Sequence, residues 1–290
     1  MSEDFKKILK HHAKSFYFAG LLLDKETLNN SAVLYAFCRQ LDDAADLGLN
    51  NKEKVDVIVE DYRSVVSKNN VNIAFKELQK EFNLDQIFID DLIDGVKADL
   101  DFKQPQTLKD LIIYSYKVAG TVGGLMAKIL GAKDKNAWKF ALDLGIGMQL
   151  TNISRDIKED FLNKRIYIPK DMLNTVSNKD ILDPVNKDAI FNITQEILNT
   201  ANKYYESGMK GIAHIPNKNK FSILLAGHLY QSIGYKILNH KNIFLKNRSY
   251  LNILEKIIIF MKLYFRQSKY LGSIISDHET AKLHTPYFRF

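Results

Sequence analysis

The chain has 290 residues, 46% of them hydrophobic, which is enough to bury a substantial core. Its single cysteine, Cys38, excludes an internal disulfide framework and fits a reducing cytoplasm. Lys and Arg number 41 against 34 Asp and Glu, and the formal charge of +7 suits nucleic acid, an acidic membrane surface or a phosphorylated substrate. A generally Lys-rich composition, without any anionic partner, explains the charge equally well, because the lysines are scattered along the chain.

No apolar run in the sequence reaches the ~18 residues that a membrane-spanning helix needs. The first residues also lack the apolar core of a secretory signal. We therefore expect a cytoplasmic protein that is soluble or lies peripherally at the inner face of the cytoplasmic membrane.

Apolar residues recur at three- and four-residue intervals between five widely spaced prolines, a pattern typical of helices, and no segment alternates cleanly enough for a strand. Since no linker divides the chain, the sequence predicts an all-α fold with one domain over residues 1–290. Asp134 is the predicted N-cap of the longest helix. The predicted helices cover roughly residues 3–15, 27–47, 52–68, 72–81, 85–102, 107–130, 134–164, 187–208, 218–241 and 249–267.

Two of these helices carry a pair of acids four residues apart, Asp42 with Asp46 and Asp156 with Asp160. Four residues are a little over one turn, so each pair projects from one helix face, where like charges repel. A bound cation would offset that repulsion. Oxygen-only ligands of this kind suit Mg²⁺, which shares its remaining positions with waters and phosphate oxygens.

Polar residues of other types accompany each acidic pair. Tyr35 and Arg39 share the face of the first pair, although a solvated face on which Arg39 pairs with a neighbouring acid explains that segment as well. Gln149, Asn152 and Arg155 accompany the second pair, and Arg165 follows closely. Amide, carboxylate and guanidinium groups on an otherwise apolar helix indicate a site that binds polyanion oxygens through metal and arginine together.

Two further segments are ambiguous from sequence alone. Gly120, Gly123 and Gly124 lie inside a helical pattern, which indicates either close helix packing or room for a ligand. The run over residues 257–265 is most simply a core helix. The alternative is a helix that lies on a bilayer surface with Lys256 and Lys262 at the level of the headgroups.

Together these motifs resemble those of the squalene/phytoene synthase family, the head-to-head prenyl transferases, over nearly the whole chain. Five segments in the family's order and spacing are highly specific. The string Asp143-Leu-Gly-Ile-Gly-Met-Gln-Leu-Thr-Asn-Ile153 is most similar to bacterial phytoene synthases. The five segments are Lys14-Ser-Phe, Tyr35-Ala-Phe-Cys-Arg-Gln-Leu-Asp-Asp-Ala-Ala-Asp46, Ala119-Gly-Thr-Val-Gly123, Gln149-Leu-Thr-Asn-Ile-Ser-Arg-Asp-Ile-Lys-Glu-Asp160 and Arg165-Ile-Tyr-Ile-Pro169.

The resemblance implies an isoprenoid-synthase helical bundle whose two acidic helices face each other across a central cavity. Its metal ligands, for Mg²⁺ or alternatively Mn²⁺, would be Asp42, Asp46, Asn152, Asp156 and Asp160. Its catalytic residues would be the four aspartates with Tyr35, Arg39 and Tyr230. The residues that would bind substrate are Lys14, Ser15, Arg39, Tyr114, Gln149, Asn152, Arg155, Arg165, Tyr167 and Arg248.

The implied reaction condenses two geranylgeranyl diphosphates, through a cyclopropylcarbinyl diphosphate, to phytoene and releases diphosphate. NADPH is not expected, because a phytoene synthase ends by losing a proton instead of accepting hydride. The expected partners are prenyl diphosphates, a membrane surface contacted peripherally and a downstream desaturase of carotenoid synthesis. Nucleic acid is not expected, because the lysines form no cluster with exposed aromatic residues.

Two alternatives remain open at this point. A C30 enzyme of the same family would make squalene, dehydrosqualene or hydroxysqualene from farnesyl diphosphate. A non-catalytic assembly factor of the same fold would carry altered acidic positions, and here those positions are intact.

Overall fold

The computed structural model describes residues 2–46, 50–176, 180–241 and 244–271. These residues are all-α, as the sequence predicts, and contain no strand. Short 3₁₀ turns occur at Asp171–Thr175, Pro184–Asn186 and Gly211–His214. The α-helices are α1 (Ser2–His12), α2 (Lys14–Gly20), α3 (Lys25–Asp46), α4 (Asn51–Arg63), α5 (Asn70–Phe82), α6 (Gln86–Leu100), α7 (Leu108–Ser115), α8 (Thr121–Ile129), α9 (Lys135–Leu162), α10 (Lys187–Lys210), α11 (Asn217–Leu238) and α12 (Ile253–Leu271).

The predicted boundaries differ from the observed ones mainly at two breaks. The first predicted helix, 3–15, is two helices, because Ala13 has φ −128° and ψ 58° and interrupts the α-helical path before α2. The predicted helix over 107–130 contains a π turn at Tyr116–Gly120 between α7 and α8. This turn passes close to α6, where a Cβ added to Gly95 would lie 2.8 Å from the Cβ of Lys117.

Helix α9 lies at the centre of the fold and packs against α8, α10 and α11. Asp134 caps it as predicted, accepting a hydrogen bond of 2.8 Å from the backbone N–H of Asn136. A Cβ added to Gly123 of α8 would lie 2.1 Å from the carbonyl oxygen of Ala141, and one added to Gly145 would lie 2.3 Å from that of Ala119. Bare backbone therefore lets α8 and α9 approach closely, which is the simpler of the two explanations for the glycines.

Helix α3 crosses the other side of the core and packs against α1, α4, α5, α6 and α8. Phe37 of α3 stacks on Phe75 of α5 with ring centroids 3.8 Å apart, and Tyr62 of α4 packs beside both rings. One continuous apolar cluster extends from α2 to α12. The core therefore holds the two acid-bearing helices, α3 and α9, in fixed positions.

The core-helix interpretation of residues 257–265 is only partly correct. Leu263 is buried and Ile259 is half-buried, but Ile257, Ile258 and Phe265 are exposed. Lys256, which the bilayer hypothesis placed among headgroups, is instead buried at 7% exposure. None of the helices in the described ranges is both long and apolar enough to cross a membrane.

Candidate active site

A cavity of about 390 Å³ lies between α3, α8, α9 and the ends of α2 and α11. Apolar side chains line most of it, and Gly123 and Gly145, where α8 meets α9, also face it. The glycines thus serve both close packing and the cavity wall. Its polar lining residues gather toward the C-terminal end of α3 and include Tyr35, Arg39, Asp42, Asp99, Tyr114, Gln149 and Asn152.

Helical periodicity brings the α3 residues to this wall. Ser31, Tyr35, Cys38 and Asp42 follow one another by steps of four, three and four, so one helix face lines the cavity over more than three turns. The α3 residues that line the cavity are uncharged from Leu28 to Cys38, and the charged ones, Arg39 and Asp42, lie toward the C-terminal end of the helix. The sequence of this helix therefore sets the direction in which a ligand with one charged end would lie.

The first acidic pair is held by arginines. Arg39 donates a hydrogen bond of 3.1 Å to Asp42 and contacts Asp43 at 2.5 Å, so the local pairing considered from sequence does occur. Arg165, which follows α9, donates to the carboxylate of Asp46. It also lies within 3.4 Å of the carbonyl oxygens of Ala45 and Asp99.

The second acidic pair has a different environment at each member. Asp156 is 15% exposed and lies between two guanidinium groups: Arg155 donates to both its oxygens at 2.8 and 2.6 Å, and Arg248 does so at 2.8 and 3.0 Å. Within the described ranges, no arginine forms such a fork with Asp160. Burial, followed by the charge of Asp156, raises the pKa of Asp160 to about 8.

Asp99 of α6 is a site residue that the sequence analysis missed. Its carboxylate accepts hydrogen bonds of 2.9 Å from the hydroxyl of Tyr114 and 3.0 Å from that of Tyr167, two predicted site residues. The two phenol rings stack with centroids 4.9 Å apart. Burial raises the pKa of Asp99 to about 6, although the tyrosine hydroxyls oppose that rise. A single Asp in a helix carries no periodic signal, so only the tertiary contact identifies it.

The structure brings some predicted residues to the cavity edge through ring and amide contacts. Tyr230 is 8% exposed, and its ring lies 4.6 Å from that of Phe16, which lines the cavity. Asn152 donates to the side chain of Gln149 at 3.3 Å. Gln149 and Asn152 both line the cavity and form one polar strip on α9 with Asp156.

Lys14 and Ser15 are not among the residues that line the cavity. Lys14 is exposed, and burial, followed by the charge of Lys14, lowers the pKa of Lys256 of α12. The ammonium group of Lys256 lies 6.0 Å from the ring of Phe18. Lys256 therefore lies beside α2, within range of the charge of Lys14.

Asp42 of the first pair also binds its proton more tightly than an ordinary carboxyl, because its pKa is raised mainly by burial. Burial, followed by the charge of Asp46, raises the pKa of Asp42, while Arg39 opposes the rise. Asp42 thus has both an arginine and a nearby carboxylate. Raised carboxyl pKa values with like-charge neighbours are typical of functional sites.

The donor set fits Mg²⁺, although no three Asp, Glu, His or Cys side chains in the described part of the chain lie close enough to hold a metal by themselves. Mg²⁺ usually takes one or two carboxylates, keeps several waters and completes its shell with substrate phosphates. The carboxylate pairs of α3 and α9, with the amide of Asn152 beside the second pair, are oxygen donors of this type. The ligand roles of Asp42, Asp46, Asn152, Asp156 and Asp160 remain predictions.

Comparisons with known proteins agree with this geometry. Residues 9–255 match the model of the squalene/phytoene synthase family. The chain is 31% identical over 242 residues to a 15-cis-phytoene synthase of Enterobacter agglomerans, covering 78% of this chain and 82% of that protein. It is 30% identical over 269 residues to a 4,4'-diapophytoene synthase of Staphylococcus haemolyticus, covering 89% and 94%.

A solved dehydrosqualene synthase has the same fold, with a TM-score of 0.82 at 24% identity over 93% of this chain and 97% of that one. The bundle is therefore an isoprenoid-synthase fold, as predicted. The matched range contains both acidic pairs, Asp99 and Arg248. The chain belongs to the squalene/phytoene synthase family of prenyl transferases, which join prenyl diphosphates head to head.

Proposed function

We propose that this protein condenses two geranylgeranyl diphosphates to phytoene and releases diphosphate. The observation that carries the choice of the C20 substrate is the length of the cavity below the charged residues. Leu28, Asp42 and residues between them on α3 line one wall. Fourteen residues of helix rise ~21 Å.

An extended prenyl chain has four backbone bonds in each isoprene unit. The geometry that gives ~3.5 Å for the three bonds of a peptide residue gives roughly 4.7 Å for such a unit. Four units then span roughly 19 Å and three units roughly 14 Å. The wall from Asp42 to Leu28 accommodates four units, which supports the C20 substrate over the C15 substrate.

The relatives support both chain lengths. Phytoene synthases of Enterobacter agglomerans and of a Paracoccus species are each 31% identical to this chain. The alignment with the 4,4'-diapophytoene synthase, at 30% identity, covers 89% of this chain, more than the 78% covered by either phytoene synthase. The alternative product is therefore a C30 hydrocarbon made from farnesyl diphosphate by the same residues.

Ionisation of an allylic diphosphate places negative charge on the leaving oxygens, and the site concentrates cationic donors there. Arg39, Arg165 and Arg248 would bind the diphosphate oxygens as that charge develops. Mg²⁺ held by the acidic pairs would supply Lewis-acid stabilisation of the same leaving group. Asp156 pairs with two guanidinium groups, and Arg248, the more exposed of them, would reach the diphosphate by turning away from Asp156.

The apolar wall would protect the allylic cation from water. Tyr35 and Phe16 line the cavity near its charged end and present rings that attract a cation. The second prenyl diphosphate would attack through its 2,3 double bond, and the resulting cation would lose a proton as it closes the ring of the cyclopropylcarbinyl diphosphate. That intermediate would release its own diphosphate and rearrange to join the two C1 carbons. Loss of a proton would then yield the central triene, so the proposal requires no NADPH.

The product assay that tests the proposal uses purified protein, Mg²⁺ and either the C15 or the C20 diphosphate, each with and without NADPH. A C40 triene formed from the C20 substrate without NADPH is the expected result. A C30 product from the C15 substrate alone would instead establish the alternative. Failure to turn over either substrate, together with failure to bind diphosphate, would support the non-catalytic assembly factor.

A C40 hydrocarbon is insoluble in water, so its release requires an apolar acceptor. We propose that the enzyme works in the cytoplasm at the inner face of the membrane and that a desaturase of carotenoid synthesis receives the product. Recovery of phytoene in the vesicle fraction, and not in the aqueous fraction, is the expected result when the assay contains lipid vesicles.

A further inference from the structure

Helix α12 carries two apolar stripes, one of which packs on the body of the protein. Phe260 lies edge-on to Phe221 of α11 at 5.6 Å, and Tyr264 contacts the same ring at 6.1 Å. Near the other end of α12, Glu255 accepts from Lys236 of α11 at 2.6 Å. These contacts, together with the buried side chain of Leu263, hold α12 against the protein along its length. They also show that α12 runs antiparallel to α11.

The second stripe faces away from the body. At ~100° per residue its side chains fall within an arc of about 140°. Their exposure ranges from 41% at Met261 to 75% at Phe265. We call this stripe the α12 apolar face, and its residues are Ile253, Leu254, Ile257, Ile258, Met261 and Phe265. Tyr264, which is 49% exposed, lies at the border between the two stripes.

Two exposed leucines extend the α12 apolar face toward the cavity. The hydroxyl of Ser222 donates to the carbonyl oxygen of Ala19 at 2.8 Å, so the end of α2 lies beside the part of α11 that contacts Tyr264. Leu21 and Leu22 follow α2 and are 56% and 38% exposed. Their chain neighbours Gly20 and Leu23 line the cavity. An exposed apolar surface therefore adjoins the apolar part of the cavity.

The charges at the border of the face are basic. Lys262 and Arg266 are exposed and lie one turn apart along the edge next to Ile258 and Phe265. The sequence of α12 contains four Lys and Arg residues and one acid. That acid, Glu255, is already paired with Lys236. A partner that covers this face must be apolar in its centre and negative at its rim.

We propose that the α12 apolar face, together with Leu21 and Leu22, lies on a bilayer that contains anionic lipids. An amphipathic helix with large apolar residues and a basic edge binds such a surface by burying its apolar side chains below the headgroups. Lys262 and Arg266 then lie at the level of lipid phosphates. The orientation differs from the hypothesis drawn from sequence, because Lys256 points into the protein and is not a headgroup contact.

Because the apolar surface adjoins the cavity, we infer that substrate and product pass across it, and this part of the inference rests on the proposed function. A prenyl chain or its hydrocarbon product would pass between bilayer and cavity along Leu21, Leu22 and Leu23 without crossing water. Binding to the bilayer itself does not depend on the identity of the reaction. It is therefore measured without substrate, and activity is measured separately by the product assay.

The test is co-sedimentation of the full chain with vesicles of phosphatidylcholine alone or of phosphatidylcholine with phosphatidylglycerol. The wild type is expected to pellet with the anionic vesicles, and less so as salt rises. A triple variant, Leu254→Ser, Ile258→Ser and Phe265→Ser, is expected to lower the partition coefficient ~10-fold or more. The matched control is Val65→Ser with Val66→Ser, since these valines are 98% and 77% exposed but lie between α4 and α5; it should bind like the wild type.

A second variant, Lys262→Glu with Arg266→Glu, leaves the apolar face intact and should weaken binding to anionic vesicles only. Circular dichroism and light scattering in solution accompany each variant. A wild type that fails to pellet with anionic vesicles, or a valine control that loses binding as the triple variant does, would overturn the proposal. A wild-type dimer that becomes a monomer in the triple variant, with no vesicle binding, would identify the face as an interface between two copies.

Discussion

Arg165, which follows α9, donates a hydrogen bond to Asp46, the last residue of α3. The two residues are 119 positions apart in sequence, and the bond connects the segments that carry the two acidic pairs. The same guanidinium also reaches backbone carbonyl oxygens of α3 and α6. Arg165 therefore helps to fix the spacing of the acidic helices as well as offering positive charge to a diphosphate.

Replacing Arg165 with Lys is expected to lower kcat/KM by about 10²-fold, because a single ammonium keeps the charge but cannot make all these contacts. The measurement is steady-state product formation with the C20 diphosphate. Arg63→Lys is the matched control, since Arg63 forms an exposed ion pair with Asp90 at 3.2 Å away from the cavity. Equal activity in both variants would show that Arg165 has no part in binding the diphosphate.

Asp42 tests the assignment of the first metal-binding pair. Asp42→Asn should abolish turnover and reduce Mg²⁺ affinity, because an amide is a weaker ligand than a carboxylate for a hard cation. Isothermal titration with Mg²⁺ and a non-hydrolysable diphosphate measures the binding. Asp94→Asn on the exposed side of α6 is the control and should behave as the wild type. Retained Mg²⁺-dependent activity in Asp42→Asn would remove this residue from the metal site.

Asp99 is expected to position Tyr114 and Tyr167 for contact with the substrate. Asp99→Ala leaves both hydroxyls without their acceptor and should lower kcat/KM by ~10–100-fold, whereas Asp99→Asn keeps an acceptor oxygen and should retain more activity. The matched control is Asp91→Asn, because Asp91 accepts from Tyr116 at 2.7 Å in the same helix but outside the cavity lining. Loss of stability with unchanged activity in Asp99→Ala would restrict Asp99 to a structural role.

Asp99 also shows where prediction from sequence ends. The acid pairs on α3 and α9 were identifiable because a four-residue interval is a local, helical signal. Asp99 has no such local signal, and its importance arises from Tyr114 and Tyr167, which approach only in the folded chain. Periodicity likewise identified α12 as an apolar helix. It could not determine which of two apolar stripes packs inward, because that choice depends on contacts with Phe221 of α11.

The length of the cavity makes chain-length selection testable at Ser31. This residue lines the α3 wall between Leu28 and Asp42 and donates to the carbonyl oxygen of Thr27 at 2.7 Å. Ser31 lies ~16 Å along α3 from Asp42, so the side chain in Ser31→Phe should block the part of the cavity beyond that distance. The ~16 Å that remain admit three isoprene units but not four. The expected result is a fall in the ratio of C20 to C15 substrate use, by about tenfold or more.

The ratio separates this effect from a general loss of folding, since overpacking would lower use of both substrates alike. Ser31→Ala is the matched control, because it removes the hydroxyl and leaves the cavity open. It should keep the wild-type ratio. An unchanged ratio in Ser31→Phe would mean that prenyl chains do not extend along this part of α3.

Asp160 gives a prediction about stability in metal-free buffer. Burial and the nearby charge of Asp156 raise its pKa in the folded protein to about 8 from the ordinary value of 3.8. The folded state thus holds this proton more tightly than the unfolded state does. The stabilisation that this bound proton gives the folded protein is complete below about pH 4 and is lost as pH rises through about 8.

Asp160→Asn, which is neutral throughout, should therefore unfold at a higher temperature than the wild type at pH 8.5 in EDTA, by at least the 2–4 °C that about 1 kcal/mol produces. The difference should shrink toward pH 5, because the wild-type carboxyl is then protonated as well. Groups common to both proteins, such as the histidines, cancel in this comparison. Mg²⁺ should stabilise the wild type at pH 8.5 more than the variant, because a bound cation would offset the negative charge of Asp160 that destabilises the folded protein. Parallel melting profiles from pH 5 to 8.5 would show that the carboxyl of Asp160 is not held protonated in the fold.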